Sequence, residues 1–235
     1  MTTRNTAILG ICLVLAAGLL GRSLGTGALH VKELDRTVVV KGLAEREVLA
    51  DVVIWPITFS LADNDLATLY ETLDKQSQQI EDVLAAAGIA PGEITRDAPA
   101  VVDKVAQQWG NDTARFRYSA TQAVTVYSRE VEKVRATRGA VADLGKAGIV
   151  FSGDNYNSTT EYLFTGLNDI KPSMVEDATR NAREVAEKFA TDSQSTLGKI
   201  KRARQGQFSI NDRDRNNPHI KKVRVVSTVE YYLSD

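Results

Sequence analysis

Residues 162–197, YLFTGLNDIKPSMVEDATRNAREVAEKFATDSQSTL, carry the strongest structural pattern in this sequence. The stretch predicts a short strand, a turn and a long helix. Pro172 suits the first turn of that helix, where an N–H has no partner, and Asp169 is placed to cap it. Residues four apart share one helix face, which here carries Ala178, Ala182, Ala186 and Ala190, flanked by Met174, Val175, Val185 and Phe189. This stripe of small residues predicts close packing against a flat partner, most simply a β-sheet.

Composition predicts a folded globular chain without a strong overall field. The chain has 235 residues, of which 43% are hydrophobic and 25% charged, and its formal net charge is −1. Such a balance gives no long-range attraction for nucleic acid, so we expect no nucleic-acid partner. Basic residues cluster locally at 199–204 and again at Lys221, Lys222 and Arg224. We interpret these clusters as solvated strand and turn positions, with an anion site as the alternative.

The N-terminus has the layout of an export signal. Arg4 precedes the apolar run 7–20, AILGICLVLAAGLL, and Arg22 follows it. No Ala-x-Ala cleavage pattern follows, since the nearest approximation is Thr26-Gly27-Ala28. Residues 1–28 are therefore expected to be either a cleaved signal peptide or a retained membrane anchor. Both alternatives predict a periplasmic location, or a cytoplasmic-membrane anchor with the domain facing the periplasm.

Scarce cysteine and histidine limit the chemistry of the exported part. Cys12, the only cysteine, lies inside the apolar run, which excludes disulfides, thiol catalysis and cysteine-ligated zinc beyond it. His30 and His219 are the only histidines, so a multi-histidine metal site or a histidine triad is poorly supported. Gly25-Thr26-Gly27 lacks the third glycine of a dinucleotide fingerprint.

The chain after residue 30 alternates between strand and helix patterns. Besides the opening stretch, helices are predicted from Asp63 or Asn64 to Gly88 and over 131–144. Strands are predicted over 37–41, 48–61, 94–104, 115–129, 207–210 and 220–233, with a hairpin turn at 110–112. Alternation in three of them predicts inward faces, formed by Leu49, Val53, Trp55, Ile57, Phe59 and Leu61, by Phe116, Tyr118, Ala120, Val124 and Val126, and by Val223, Val225, Val229, Tyr231 and Leu233. Three helices among about seven strands, with hairpins, predict an α+β fold with helices on a mostly antiparallel sheet. We expect one domain of two intimately packed halves.

Two strands are predicted to be sheet edges. Pro56 interrupts the 48–61 pattern and cannot donate to a strand ladder, which favours an edge position or a bulge. The strand 220–233 reaches almost to the chain end, leaving little sequence to cover its outer side. Two open edges would let a second copy pair with the sheet, so a homo-oligomer is expected.

The remaining motifs assign no site. Asp212, Asp214 and Asn216 have the spacing of early calcium-loop ligands, but Asn217 and Val223 stand where that loop needs Gly and Glu. An Asx-rich turn is the better interpretation. The glycosylation sequons at Asn111 and Asn157 matter only in a eukaryotic secretory route, and Glu45 and Glu47 are interpreted as ordinary loop or face charges. No catalytic, cofactor-binding or metal-binding residue is assigned, and no cofactor is expected.

The motif Val40-Lys41-Gly42-Leu43-Ala44, followed by Val48 and Ala50-Asp51, resembles the opening of the SIMPL-domain family of exported bacterial proteins. Later landmarks fit in the same order, at 84–88, 162–164, 171–172, 197–200 and 231–233. The similarity spans residues 36–235, which we take as the SIMPL-like domain. The resemblance implies an α+β fold and an envelope location. It supplies no agreed reaction and no catalytic residues.

These observations leave three functions open. We expect a non-enzymatic envelope protein that acts as an assembly or interaction module, with stress as one setting, whose envelope partner is unknown. The first alternative is a binder of a small ligand or peptide in a groove between helices and sheet. The second is a hydrolase that uses loop carboxylates and would need an acidic cleft.

Overall fold

The computed structural model describes residues 36–106, 115–152 and 159–234, and these residues form an α+β fold. Their helices are α1 (Leu66–Ala86), α2 (Val131–Asp143) and α3 (Leu167–Asp192). Their strands are β1 (Thr37–Leu49), β2 (Val52–Asp63), β3 (Ile94–Arg96), β4 (Ala100–Asp103), β5 (Tyr118–Ser128), β6 (Val150–Phe151), β7 (Glu161–Leu163), β8 (Thr196–Gln205), β9 (Ser209–Asp212) and β10 (Ile220–Ser234). The predicted fold class is confirmed.

The described residues divide into two compact units. The first unit comprises residues 36–46, 170–209 and 223–234, and the second comprises residues 47–169 and 210–222. No helix among the described residues is both long enough and apolar enough to cross a bilayer. The segment 1–28, His30, the turn 110–112 and both sequons lie outside the described residues.

In the first unit, α3 packs on a sheet whose strand order is β1–β10–β8. Strand β9 pairs with β10, and its residues from Ile210 onward belong to the second unit. All four stripe alanines of α3 are buried, which confirms the predicted packing face. A Cβ at Gly42 of β1 would overlap the carbonyl oxygen of Ala178 and the backbone nitrogen of Ala182. Only glycine therefore lets this helix lie so close to the strand.

Several expectations about the first unit were wrong. The strand predicted to end before Gly42 continues to Leu49. Strand β10 lies between β1 and β8 and is not an edge, although its predicted inward face, Val223, Val225, Val229 and Tyr231, is buried. On α3, Met174 is buried, but the flanking Val185 and Phe189 are exposed. The predicted strand 207–210 corresponds to β9, which begins at Ser209, and the preceding strand, β8, was expected only as solvated strand and turn positions at 199–204.

Helix α3 also begins earlier than predicted. Its first residue is Leu167, so Asp169 lies in the first turn and Pro172 lies inside the helix. The turn just before the helix is held by a residue distant in sequence: the Asp51 carboxylate accepts hydrogen bonds from the backbone N–H groups of Thr165 and Gly166. This carboxylate lies at the N-terminal end of α3, where the helix dipole favours negative charge.

The second unit has a sheet with the order β3–β5–β2–β6, in which β4 also pairs with β5 and β7 with β2. Most of the predicted inward residues of β2 and β5 are buried, namely Val53, Trp55, Ile57, Phe59, Ala120, Val124 and Val126, and Leu61 and Tyr118 are partly buried. Leu49 and Phe116, predicted to share those faces, are exposed because they lie outside the two strands. The predicted strand 94–104 is interrupted between β3 and β4.

Pro56 does not mark a sheet edge. Strand β2 pairs with β5 along its whole length, and on its other side it pairs with β7 at 52–54 and with β6 at 59–60. Pro56 lies between the segments of β2 that pair with these two short strands. No described strand pairs with that side of β2 at this residue, so the N–H that proline lacks is not needed there.

Helix α1 is capped by Asp65, whose carboxylate accepts the N–H of Thr68 at 2.8 Å, and not by Asp63 or Asn64. Asp63 instead accepts the N–H groups of Asn64 and Asp65 and so shapes the preceding turn. The predicted stop is confirmed, since Gly88 follows the helix with φ of +83°.

Candidate functional site

Strand β8 is the most exposed long strand of the first unit's sheet. Helix α3 packs over β1 and β10, where Val40, Val229 and Tyr231 form a core with Ala182 and Ala186. From β8, only Leu197 packs partly against that core. Every residue from Lys199 to Gln205 is exposed. The strand therefore projects beyond the helix and presents both of its faces to solvent.

The outer edge of β8 is an open row of backbone groups. The N–H of Gly206 donates to the carbonyl of Val226 at 2.8 Å, so Gly206 faces β10. Because alternate residues of a strand direct their backbone groups to opposite sides, Arg202 and Arg204 also face β10. Ala203 and Gln205, which lie opposite Val229 and Ser227 of β10, direct their backbone N–H and C=O groups outward, and no described strand pairs with that side of β8.

The opposite edge of the same sheet, β1, is partly closed. Asn181 of α3 donates its side-chain amide to the carbonyl of Leu43 at 2.8 Å. Arg46 donates to the Ser173 hydroxyl at 3.1 Å and forms an ion pair with Asp177 at 3.4 Å. These contacts tie β1 to the helix, so β8 offers the more accessible edge of the two.

Strand β8 is also strongly basic, since TLGKIKRARQ contains four cationic residues and no carboxylate. This confirms that the 199–204 cluster is a solvated strand. The second basic cluster, at 221–224, is only partly exposed to solvent. Arg224 is exposed, but Lys221 is buried and hydrogen-bonds to Asp212. The ammonium of Lys201 lies 5.3 Å from the Tyr232 ring centroid.

The calcium-like spacing forms an Asx turn, as expected. The Asp214 carboxylate accepts the backbone N–H groups of Asn216 and Asn217, each at 2.9 Å. The hydrogen bond from Arg213 is the main cause that lowers the pKa of Asp214. Among the described residues, no cluster of three or more His, Cys, Asp or Glu side chains could hold a metal ion.

His219 packs as an aromatic side chain in the second unit. Its ring is buried and meets the Tyr162 ring edge-on, with centroids 6.1 Å apart. Burial, and then the charge of Arg135, lower the pKa of His219 below its ordinary value of 6.5. The imidazole is therefore neutral at neutral pH and suits apolar packing.

A groove lies between α2 and β2 in the second unit. Its volume is about 420 Å³, and it runs along the interval at Pro56. The Arg138 guanidinium stands 5.8 Å from the Trp55 ring centroid. Phe151 and the open position at Gly139 complete the walls, so the groove combines an aromatic floor with one cation.

Comparison with protein families identifies the chain. A family model named SIMPL, described as a protein of unknown function (DUF541), matches residues 38–229. The chain belongs to the SIMPL family. The match extends from β1 into β10 and confirms the resemblance recognised in the sequence. A comparison with curated proteins found no match.

The SIMPL landmarks of this chain serve its packing. Gly42 permits the close approach of α3, and the carboxylate of Asp51 accepts hydrogen bonds from the Thr165 hydroxyl as well as from two backbone amides. At Gly198, an added Cβ would lie 3.1 Å from Tyr232 atoms. Sequence reasoning found these landmarks but did not predict that Gly198 lies in a long strand, β8, whose outer edge is open.

Proposed function

We propose that this SIMPL protein is a non-enzymatic envelope component that acts as an assembly module and binds further copies of itself through β8. The observation that carries the proposal is the exposure of β8 on both faces together with its open outer edge. A long exposed edge strand is a template for pairing, and proteins usually cover such strands or use them. Here α3 leaves the strand uncovered.

The positive charge of β8 favours contact with an acidic surface of the partner copy. Two β8 strands from different copies would bring four cations of each strand together, and like charges directly opposite are destabilising. The outer side of α3 carries a shallow groove lined by Glu184, Glu187 and Asp192 together with Lys188 and Thr191, and Arg183 pairs with Glu187 at 2.9 Å. The exposed Phe189 lies within the same helical segment. Acidic side chains outnumber the cations of this surface, so it can meet the cations of β8.

Contact between β8 of one copy and α3 of the next is heterologous. Such head-to-tail contacts close into a ring or continue as a filament, depending on the rotation between copies. A hydrolase that uses loop carboxylates would need those carboxylates to be free. The pair considered in the sequence, Glu45 and Glu47, is instead bound in ion pairs, which supports a non-enzymatic role. Glu45 contacts Arg224 and Glu47 contacts Arg213, each at 3.6 Å.

Ala203→Pro is expected to weaken self-association at least about tenfold, because its ring obstructs the outer edge of β8 and removes an outward N–H that can donate to an acidic side chain of α3. The β8–β10 ladder should survive, since Ala203 lies opposite Val229 but directs its N–H away from β10. Light scattering on residues 29–235 at tens of micromolar measures the mass of wild type and variant. Ala203→Ser keeps the N–H and serves as the matched control.

Two results would contradict the proposed assembly. One is a wild-type fragment that stays monomeric at these concentrations. The other is a folded Ala203→Pro variant whose mass equals that of wild type, which would remove the β8 edge from the interface. Circular dichroism establishes whether each variant is folded.

The envelope location is proposed from the order of Arg4, the apolar run 7–20 and Arg22. A reporter that is active only in the periplasm, fused after Asp235, should be active. Activity from a cytoplasmic reporter alone would contradict the location. Mass spectrometry of the N-terminus then separates cleavage of residues 1–28 from their retention as an anchor.

A ligand-binding function ranks second. The groove beside Trp55 is the helix-and-sheet type of site that such a function needs, and Arg138 would favour an anionic or aromatic ligand. Its open shape encloses a ligand less completely than a cavity would. For this reason we place the assembly function first.

A further inference from the structure

The first unit's sheet has a second face, opposite α3, which we name the basic face. Strand alternation places Lys41 and Arg224 there, because their neighbours along β1 and β10 are the buried residues that face α3. On β8, Arg202 and Arg204 lie opposite Glu230 and Thr228 of this face, and a bulge places Lys201 beside them, against the Tyr232 ring. Two acidic residues share the face, and both are engaged: Glu45 with Arg224 at 3.6 Å and Glu230 with Lys201 at 3.8 Å. Since the whole chain has a formal net charge of −1, positive charge is concentrated on this face.

We propose that the basic face docks on the surface of an anionic phospholipid bilayer. An excess of lysine and arginine on one face is attracted by the negative potential of such a surface. The proposal goes beyond the assembly function and does not need it. Both contacts use the cations of β8, but assembly also requires the outer edge of that strand, whereas docking requires the side chains of the whole sheet face.

The apolar residues of the face also fit a membrane interface. Val39 is 61% exposed, Leu43 40% and Tyr232 39%, although all three lie on a folded sheet. Tyrosine is favoured at the headgroup level, where its ring is buried and its hydroxyl stays hydrated. Exposed aliphatic side chains beside cations allow shallow insertion together with charge attraction.

Two arginines are placed to bind phosphate groups. Arg202 and Arg204 line a shallow depression of about 180 Å³ with Val39, Thr228 and Glu230. Neither guanidinium forms a hydrogen bond or ion pair with the described residues. A planar guanidinium binds a phosphate through two parallel N–H donors, so each arginine can take one lipid headgroup.

The length of the N-terminal chain favours a bilayer over other polyanions. Sixteen residues, 21–36, separate the apolar run from the first residue of β1. An extended chain spans at most about 3.6 Å per residue, so this linker reaches up to about 58 Å. If the apolar segment is retained in the membrane, the basic face stays within reach of the lipid surface.

The test uses the full chain, because the apolar segment alone binds any bilayer and only the position of the face distinguishes docking. In a Cys12→Ser background, Val39→Cys carries an environment-sensitive fluorophore on the basic face. Lys188→Cys carries the same label on the exposed side of α3. Both proteins are reconstituted into brominated vesicles of phosphatidylglycerol and phosphatidylcholine in equal parts, or of phosphatidylcholine alone.

Docking predicts strong bromine quenching of the label at 39 with phosphatidylglycerol, and weak quenching at 188 in both vesicles. About 1 M NaCl, where the screening length is about 3 Å, should abolish the difference. Arg202→Gln and Arg204→Gln should each lower the ratio of docked to undocked protein about fivefold. Ala203→Pro, which blocks assembly, should leave the quenching unchanged.

Equal quenching at 39 and 188, or quenching that does not depend on phosphatidylglycerol, overturns the proposal. A label at 39 that responds to protein concentration without vesicles, and not to brominated lipid, also overturns it, because a second copy then covers the face. The light-scattering mass of the Ala203→Pro variant tests the assembly function, and it does so independently of this quenching experiment.

Discussion

Gly42→Val is expected to abolish the native packing of α3 on β1, with a loss of more than about 4 kcal/mol of unfolding free energy. The new side chain would overlap the carbonyl oxygen of Ala178 and the backbone nitrogen of Ala182. Backbone atoms of a helix cannot rotate aside as a flexible side chain can, so helix and strand would have to separate. Urea unfolding followed by circular dichroism measures the loss.

Gly139→Ala is the matched control. Nothing lies within 4 Å of a Cβ at this position, and the residue is inside α2, where alanine is the better helix former. The control should therefore raise stability by about 0.5–1 kcal/mol. A Gly42→Val protein with the wild-type urea midpoint would show that α3 does not rest on β1 at this residue.

The helix faces were predictable from sequence because their signal is local. On α1, Leu69, Leu73, Ile80 and Leu84 recur at helical spacing and are all buried, and the alanines of α3 behave in the same way. Alternation likewise identified the buried faces of β2, β5 and β10. These patterns record which side of an element is covered, and they need no knowledge of its neighbours.

Strand order could not be predicted, because neighbours in a sheet come from distant parts of the chain. Pro56 was interpreted as an edge signal, yet β2 is interior and the proline fits an interval between two short strands. The final strand was also interpreted as an edge, although β1 and β8 flank it. The turn just before α3 is likewise held by Asp51, 114 residues away from Thr165.

The candidate site was visible in the sequence only as a basic cluster. Strand β8 lacks the alternation that identifies half-buried strands, because both of its faces are exposed. The lack of apolar–polar alternation in this segment is therefore a consequence of the exposure of both faces of the strand. What the cluster could not reveal is that its arginines share a sheet face with Lys41 and Arg224, which lie far away in the sequence.

Ala182→Glu is expected to destabilise the protein by about 3–5 kcal/mol. Ala182 is completely buried, and it packs in the core formed with Val40, Val229 and Tyr231. A glutamate there would bring a carboxylate into an apolar site that has no cation to pair with it, and its volume would push α3 away from the sheet. Thermal unfolding of the purified variant measures the effect, and Ala186→Glu should behave similarly.

Lys188→Glu separates burial from helix propensity. This residue lies on the exposed side of the same helix, so the substitution should cost less than about 0.5 kcal/mol. If the alanines served only to favour helix formation, glutamate at 182 and at 188 would have similar effects, since both positions are interior to α3. Equal melting temperatures for Ala182→Glu, Lys188→Glu and wild type would mean that the stripe faces water. A large loss confined to positions 182 and 186 would show that contact with the sheet, rather than the helix alone, requires small residues on this face.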